Sequence, residues 1–299
     1  MGRGEDQMNI LQRAFISCGI RGYLNWIPDS SYLKIVYKMR TGKKLNLQEP
    51  KTFNEKLQWL KLYDRKPEYT IMVDKYEAKK YIAEQIGEEY IIPTLGVWDR
   101  FEDIDFDALP HQFVLKCTHD SGGLAICRDK STFDKETARK KIARSLKRNY
   151  YWSGREWQYK DVKPRIIAEK YIEETKDDAL TDYKFFCFHG VSKIMYISKD
   201  HGTDPRTDFF DMEFNHLPVR ARDPQAEITP ERPMQFEKMR EMAEILSKDI
   251  PHLRVDFYLV NGKIYIGELT FYHMSGFTKV QPDEWNLKMG QWIQLPLGK

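Results

Sequence analysis

The sequence predicts an α+β protein, with helices first and then a mixed, largely antiparallel sheet region carrying inserted helices. Three observations carry that prediction. Apolar residues recur at helical intervals as far as Gly87, short β-rich runs take over from Phe113, and an Asn-Gly pair joins the last two runs.

The N-terminal segment ILQRAFISCGIRGYLNWIP has helical spacing with Arg13 and Arg21 among its apolar residues, and Pro28 with Asp29 stops it. A basic amphipathic helix at a membrane surface fits this segment, and so does a helix packed on the body of the protein. A second helix is expected near Tyr32 to Met39. In KTFNEKLQWLKLYDRKPEY, Phe53, Leu57, Trp59, Leu60 and Leu62 form one broad apolar face, and Thr52 followed three residues later by Glu55 is the arrangement of a capping box. Asp74 with Glu77 repeats that signal at DKYEAKKYIAEQIG, and Gly87 closes the helix. EEYIIPTLGVW then reads as a strand interrupted at Pro93. The later runs are FVLKC, LAICRD, RIIAEKYI, DYKFFCFHG, SKIMYISKD, RVDFYLV and KIYIGELTF, with a charged helix beginning near Lys135 between the second and the third. Val260-Asn261-Gly262-Lys263 joins the last two, because Asn-Gly accepts the positive φ that a tight hairpin turn requires.

Composition limits what such a chain can be. Its 299 residues carry 41% apolar and 31% charged side chains, enough burial to offset chain entropy, so wholesale disorder is excluded. No stretch approaches the roughly 18 to 20 apolar residues of a spanning helix, and the N-terminus lacks the apolar core of a signal peptide. A cytoplasmic protein is expected, at the inner face of the membrane if the N-terminal segment docks there. The four cysteines show no CxxC spacing, which weakens structural zinc and redox readings. The net charge of +3 is unevenly spread. Residues 1–44 hold eight Lys and Arg against three Asp and Glu, and Arg139 to Arg165 holds ten against two, interleaved with Tyr150, Tyr151, Trp152, Trp157 and Tyr159. Such a surface attracts polyanions, and its rings can stack on bases or on the apolar faces of sugars. A solvated helix followed by buried aromatics explains the same stretch equally well.

Three constellations bear chemistry. FVLKCTHDSGG sets a lysine, Lys116, at the end of a strand and follows it with Asp120-Ser121-Gly122-Gly123, a turn whose amides can approach anionic oxygens closely. It is not a Walker loop. RIIAEKYIEE turns polar at Glu169-Lys170-Tyr171-Ile172, where an extended backbone can meet a purine edge. In RVDFYLVNGKIYIGELTF, Asp256 and Glu268 can face each other across the hairpin, two carboxylates whose repulsion a bound cation would relieve. Mg²⁺ takes such oxygens together with nucleotide phosphates. Arg254 lies two residues before Asp256 and shares its face.

In this order the pieces resemble the ATP-grasp superfamily, and within it the branch named for teichuronopeptide biosynthesis, whose members are often labelled glycosyltransferases. KTFNEKLQWLKLYD, Asp74-Lys75, FVLKCTHDSGG, DYKFFCFHG and RVDFYLVNGKIYIGELTF carry the resemblance over roughly residues 50 to 290. It implies an ATP-grasp fold of two α+β subdomains gripping a nucleotide: an N-terminal helical portion at 1–110, a lid at 111–172 and a metal-bearing sheet subdomain at 173–299. By the same resemblance Lys116 contacts the α- and β-phosphates, Ser121, Gly122 and Gly123 form a mobile phosphate loop, and Glu169, Lys170 and Ile172 line the adenine hinge. Asp182, at a longer spacing than usual, stands for the ribose contact, and Lys184 reaches the phosphates. Asp256 and Glu268 hold Mg²⁺. Thr270 stands where superfamily members usually carry Asn, which leaves a second metal ion open.

The implied chemistry is carboxylate activation by ATP followed by amine attack, with Arg254 holding the carboxylate and stabilising the tetrahedral intermediate. The implied partners are ATP, a uronic acid of an acidic polysaccharide, and an amino acid or amine, and no nucleic acid. A kinase acting on a sugar or lipid hydroxyl would share the same ATP half. A glycosyltransferase would need a DxD, and Asp103-Ile104-Asp105 supplies its letters in what reads as a polar loop. A non-catalytic polyanion binder would not need the paired carboxylates. For each of His119, His189, His201 and His273, core or surface packing is the favoured reading; among them His273, closest after the second strand of the hairpin, is the one preferred on the substrate side.

Overall fold

The computed structural model describes residues 8–172, 180–199 and 205–296. Helices come first: α1 (Ile10–Ile20), α2 (Asp29–Thr41), α3 (Phe53–Tyr63), α4 (Glu68–Val73) and α5 (Glu77–Ile86). The Thr52–Glu55 capping box forms in full, with the Thr52 hydroxyl accepting from the Glu55 N–H at 3.3 Å and Glu55 accepting from the Thr52 N–H at 3.0 Å. The expected repeat at Asp74 and Glu77 does not. Asp74 does accept from the N–H groups of Tyr76 and Glu77, but Glu77 turns instead to Arg165, which bridges both carboxylates at 2.8 Å. A nearby guanidinium offers Glu77 a charged partner, and a reciprocal cap offers only a backbone amide.

Two antiparallel sheets follow. The smaller has the order β1-β4-β2-β3, from β1 (Thr94–Trp98), β2 (Phe113–Cys117), β3 (Leu124–Cys127) and β4 (Ile166–Lys170), so it draws an edge strand from ahead of residue 111. β1 begins only after Pro93, and a short 3₁₀ turn at Glu88–Tyr90 occupies the first half of the stretch read as strand. Pro93 has no N–H for a ladder, although its carbonyl accepts from Lys170 at 2.9 Å. Helix α6 (Lys135–Leu146) packs on this sheet through Ala138 and Ile142, which join Phe113, Leu115 and Ile166 in a local core. A short α7 (Tyr151–Gly154) leads back to β4. Phe101–Asp103 is a 3₁₀ turn outside any strand, which suits the loop reading of Asp103-Ile104-Asp105.

The larger sheet has the order β10-β9-β5-β6-β7-β8, from β5 (Asp182–Phe188), β6 (Val191–Lys199), β7 (Arg206–Asp211), β8 (His216–Leu217), β9 (Leu253–Val260) and β10 (Lys263–Thr270). Its two faces differ in chemistry because successive strand side chains alternate. Phe185 and Phe257 point toward α8 (Phe236–Leu246), with the Phe185 and Phe236 rings 5.5 Å apart. Each such buried ring contributes about 1.5–3 kcal/mol. The opposite face carries Asp182, Lys184 and Phe186 along β5 and Arg254 and Asp256 along β9. Phe186 meets Phe53 of α3, and α9 (Asp283–Trp292) packs beside α3. The polar end of that face is left for α4, α5 and the smaller sheet to roof.

Helices α1 and α2 form a third, smaller core around Tyr32, Leu33 and Val36. Helix α1 buries Ile16 and Gly19 but leaves Ile10 and Leu11 80% or more exposed, so it is packed on the body along one side only. No helix among the described residues is long and apolar enough to cross a membrane.

Candidate functional site

Lys116, near the end of β2, points at Glu169 of β4. The register pairs Val114 with Glu169, so Lys116 and Glu169 are diagonal neighbours on one face, and the Lys116 Nζ lies 2.6 Å from Glu169 Oε2. Lys79 of α5 takes the other oxygen at 2.6 Å and also donates to the Ile92 carbonyl at 2.6 Å. Burial would raise the Glu169 carboxyl, but the two ammonium groups override it and hold it down at about 2. Lys79 shows the converse balance, lowered by burial and only partly restored by Glu169. Lys170 is exposed and Ile172 half-buried just beyond the strand. Lys116 and Glu169 line a cleft that Lys75, Lys79, Gly267 and Glu268 complete, so both sheets contribute to it.

The glycine loop joins β2 to β3 above this cleft. Gly122 has φ 119°, a conformation that glycine adopts without strain, and Ser121 and Gly122 are exposed. The buried Asp120 accepts from the Gly123 N–H at 3.3 Å and from the Ser145 hydroxyl of α6, which ties the loop to that helix. Lys75 closes the loop from the other side. Its N–H donates to the Thr118 carbonyl at 3.0 Å, its ammonium to the Asp120 carbonyl at 2.5 Å, and the same ammonium stands 3.8 Å from Glu268.

The carboxylate pair depends on a bulge. Counted from the turn at Asn261 and Gly262, Asp256 would face Gly267. A register shift between Ile266 and Glu268 brings Glu268 opposite Asp256 instead. A Cβ at Gly267 would come within 2.9 Å of the Tyr258 ring, so only glycine fits there without displacement. Gly267→Ala is therefore expected to lower stability by about 1–2 kcal/mol in thermal melts and to weaken ligand binding in the cleft; an unchanged melt would remove the packing argument.

Protein cations on the same face neutralise Asp256. Arg254 grips Asp256 with two bonds of 2.7 Å, and Lys184 adds a third at 2.7 Å while standing 3.1 Å from Asp182. Burial would lower both cations, and Asp256 raises them instead. Arg254 also donates to the Thr270 hydroxyl at 3.0 Å. The structure thus gathers Asp182, Lys184, Arg254, Asp256, Glu268 and Thr270 on one face, and Lys116, Glu169 and the glycine loop across the cleft from it.

His273 is drawn into this network differently from the substrate-side expectation. It is buried, lowered well below its ordinary value by burial and then by Arg254, and its Nδ1 lies 2.8 Å from the Arg254 Nη1. A neutral ring accepting from a guanidinium positions Arg254 and leaves no face for a substrate. His119 holds the carbonyls of Ser145 and Arg148, His189 meets the Gln294 backbone, and His201 lies outside the described residues.

A model of the TupA-like ATP-grasp family matches residues 55–294. The chain belongs to the TupA-like ATP-grasp family. The match covers both sheets and α3 to α9, so the site just described lies wholly within the family region. Solved structures with similar folds include D-alanine–D-alanine ligase from Bacillus anthracis, 18% identical over 67% of this chain and 57% of that enzyme, with a TM-score of 0.39. The chain thus spans little more than half the length of that ligase. D-cycloserine synthetase is 18% identical over 75% of this chain and 69% of that one, with a TM-score of 0.41. D-alanine–D-alanine ligase from Helicobacter pylori is 12% identical over 81% and 67%, with a TM-score of 0.44. A search of curated proteins finds no match.

Two features of this ATP-grasp chain escape sequence reasoning. Lys75 and Lys79 come from the helical portion, and no spacing rule links them to strands far along the chain. The other is a fully buried pair, Lys61 and Glu156, beside the cleft. Lys61 donates to the carbonyls of Gly154 and Ser275 at 2.8 and 2.7 Å, with burial lowering it to about 7 and Glu156 opposing that fall. Ser275 sits in a left-handed run from Met274 to Gly276 just after β10, and Lys61 holds that strained turn in place.

Proposed function

We propose that the protein is an ATP-dependent ligase that joins a carboxylate to an amine through an acyl phosphate. The carboxylate would belong to a uronic acid of an acidic cell-surface polysaccharide and the amine to an amino acid or related compound. One observation carries this reading: Lys75 reaches both the glycine loop and Glu268. A phosphate-covering loop, a strand lysine and a carboxylate pair therefore converge on one cleft, as phosphoryl transfer by positioning and charge neutralisation requires.

The donor set supports Mg²⁺. Asp256, Glu268 and Thr270 offer hard oxygens side by side, and Mg²⁺ is usually held by one or two carboxylates with phosphate oxygens and water completing its shell. Among the described residues no group of three or more His, Cys, Asp or Glu would cage a metal on protein alone, which favours an ion carried in with the nucleotide. When bound there, it supplies charge neutralisation to the phosphates. Asp256 would then share its oxygens between the ion, Arg254 and Lys184, freeing part of the guanidinium.

The other roles are assigned as the family resemblance implies, and the positions of the side chains support them. Lys116, oriented by Glu169, contacts the α- and β-phosphates. Ser121, Gly122 and Gly123 cover the phosphates and exclude water, which would otherwise hydrolyse the acyl phosphate. Lys170 and Ile172 meet the adenine edge beside Glu169, and Asp182 takes the ribose. Arg254, fixed by Thr270 and His273, presents a planar fork to the acceptor carboxylate and to the tetrahedral intermediate that amine attack produces. Collapse of that intermediate breaks the bond to phosphate and leaves the amide.

Incubation with ATP, an amine and an oligouronate is expected to release inorganic phosphate in step with amide formation, read by product mass. Phosphate retained on the sugar would overturn the ligase reading in favour of a kinase, and preferential binding of a UDP-sugar would favour a transferase.

A further inference from the structure

A second cavity lies away from the nucleotide cleft, between the C-terminal end of α1 and the segment that leaves α6. Its lining combines the cations Arg21, Lys147 and Arg148, the exposed Asn25 amide, the exposed Tyr23 ring and the half-buried indole of Trp152; Asn149 also borders it, but its amide donates to the Lys160 carbonyl at 2.7 Å and accepts from the Tyr151 N–H at 3.0 Å. Helix C-termini favour cations, which accounts for the sign of Arg21 and Lys147. It does not account for two rings and the Asn25 amide bordering the same space.

The cavity is held open from beneath. Arg155, 1% exposed and with φ 55°, lies under the Trp152 ring at 4.5 Å, over the Tyr32 ring at 4.4 Å, and donates to the Leu24 carbonyl at 2.9 Å. Asp29 accepts from the Tyr151 hydroxyl at 2.7 Å and stands 3.7 Å from Arg155. These buried contacts fix the segment carrying Gly22 to Asn25 against the segment carrying Asn149 and Trp152. One face of the indole is thus covered by a guanidinium while the ring borders the cavity.

We propose that this cavity binds an acidic saccharide, with the Trp152 ring against the apolar face of a sugar, Asn25 on hydroxyls, and Arg21, Lys147 and Arg148 on carboxylates. Planar guanidinium groups match carboxylates in two-bond geometry, and an aromatic face is the usual platform for the C–H side of a pyranose. Single-stranded nucleic acid is served by a long track of successive stacking rings, whereas two rings, Tyr23 and Trp152, at a single concavity suit one or two sugar units. The ligand class rests on the proposed acceptor chemistry. The site itself touches a different part of the molecule, yet it backs onto the catalytic cleft, because Tyr150, between Asn149 and Tyr151, is buried toward Ser121, Asp120 and Glu268.

The test is calorimetric titration of the full chain with oligogalacturonate in the absence of nucleotide. Binding is expected, and Arg21→Glu/Lys147→Glu is expected to weaken it about tenfold or more. Lys140→Glu/Lys141→Glu, an equal charge change on α6 outside the cavity, should alter it less than about twofold; these two thresholds bracket the loss of two charge-assisted contacts at roughly 1.4 kcal/mol per tenfold. Arg21→Gln/Lys147→Gln, at two exposed positions, serves if the reversal perturbs folding. Absence of binding, equal losses in both double variants, equal affinity for neutral malto-oligosaccharide, or tighter site-dependent binding of a single-stranded oligonucleotide would each overturn the proposal. Since no nucleotide is present, a protein that fails to bind ATP would sink the ligase reading without touching this result.

Discussion

Asp256→Asn is expected to abolish Mg²⁺-dependent ATP turnover, by about a hundredfold to a thousandfold or more, and to lower the melting temperature as well. Both effects arise from one side chain because Asp256, 2% exposed, is the common partner of Arg254 and Lys184. Losing its charge leaves Arg254 without its counterion and Lys184 with Asp182 alone, and breaking such a buried pair costs about 3–5 kcal/mol. Functional loss alone would therefore not separate a metal ligand from a structural anion. Glu268→Gln makes the separation. Glu268 is partly exposed and its nearest cation is Lys75 at 3.8 Å, so the stability cost should be small, surface pairs contributing about 1 kcal/mol or less. A variant that melts like the parent yet no longer responds to Mg²⁺ in nucleotide titrations supports the metal role for the pair. Normal Mg²⁺ dependence in Glu268→Gln would confine Asp256 to charge compensation.

How much of this was legible in the sequence follows the range of the interactions. The hairpin turn was legible because its signal is local: Asn261 and Gly262 adopt φ 51° and 75°, as Asn-Gly predicts. Asp256 and Glu268 were legible as partners, but the device that pairs them was not. The bulge at Gly267 answers to the Tyr258 ring on the neighbouring strand, a contact that turn counting does not contain. Arg254 and Lys184 were each visible near the pair, yet their joint neutralisation of Asp256 needs β5 beside β9, which is a matter of strand order. In the basic aromatic stretch Tyr151 and Tyr159 are core, Arg155 is buried among rings, and Lys147, Arg148 and Trp152 border the second cavity. His273 is buried as the packing reading had it, and its contact with Arg254 depends on which way the ring turns, which nearness in sequence to a strand does not contain.

Glu169 carries the other large expected effect, and its sign can be worked out. The carboxyl ordinarily titrates near 4.5, and burial would raise it, but Lys116 and Lys79 hold it at about 2 in the folded chain. Between those values the unfolded chain binds a proton that the folded chain refuses. The stabilisation from Glu169 is therefore complete above about pH 4.5 and is lost as pH falls toward 2, a displacement that corresponds to roughly 3 kcal/mol. Glu169→Gln should erase that component, so the difference in melting temperature between parent and variant should be largest above pH 4.5 and shrink below it. The variant should also show the opposite trend at the alkaline end. Lys79 is already lowered by burial, and removing Glu169 takes away what opposes that fall. A buried lysine lowered in the folded state makes stability rise with pH, because the unfolded chain then binds the extra proton. Parallel melting curves for the two proteins from pH 3 to pH 9 would overturn the account of Glu169 as the shared counterion. The functional consequence follows from the same geometry: without Glu169 the Lys116 ammonium has no fixed position, and nucleotide affinity is expected to fall about tenfold or more even at a pH where the variant is fully folded.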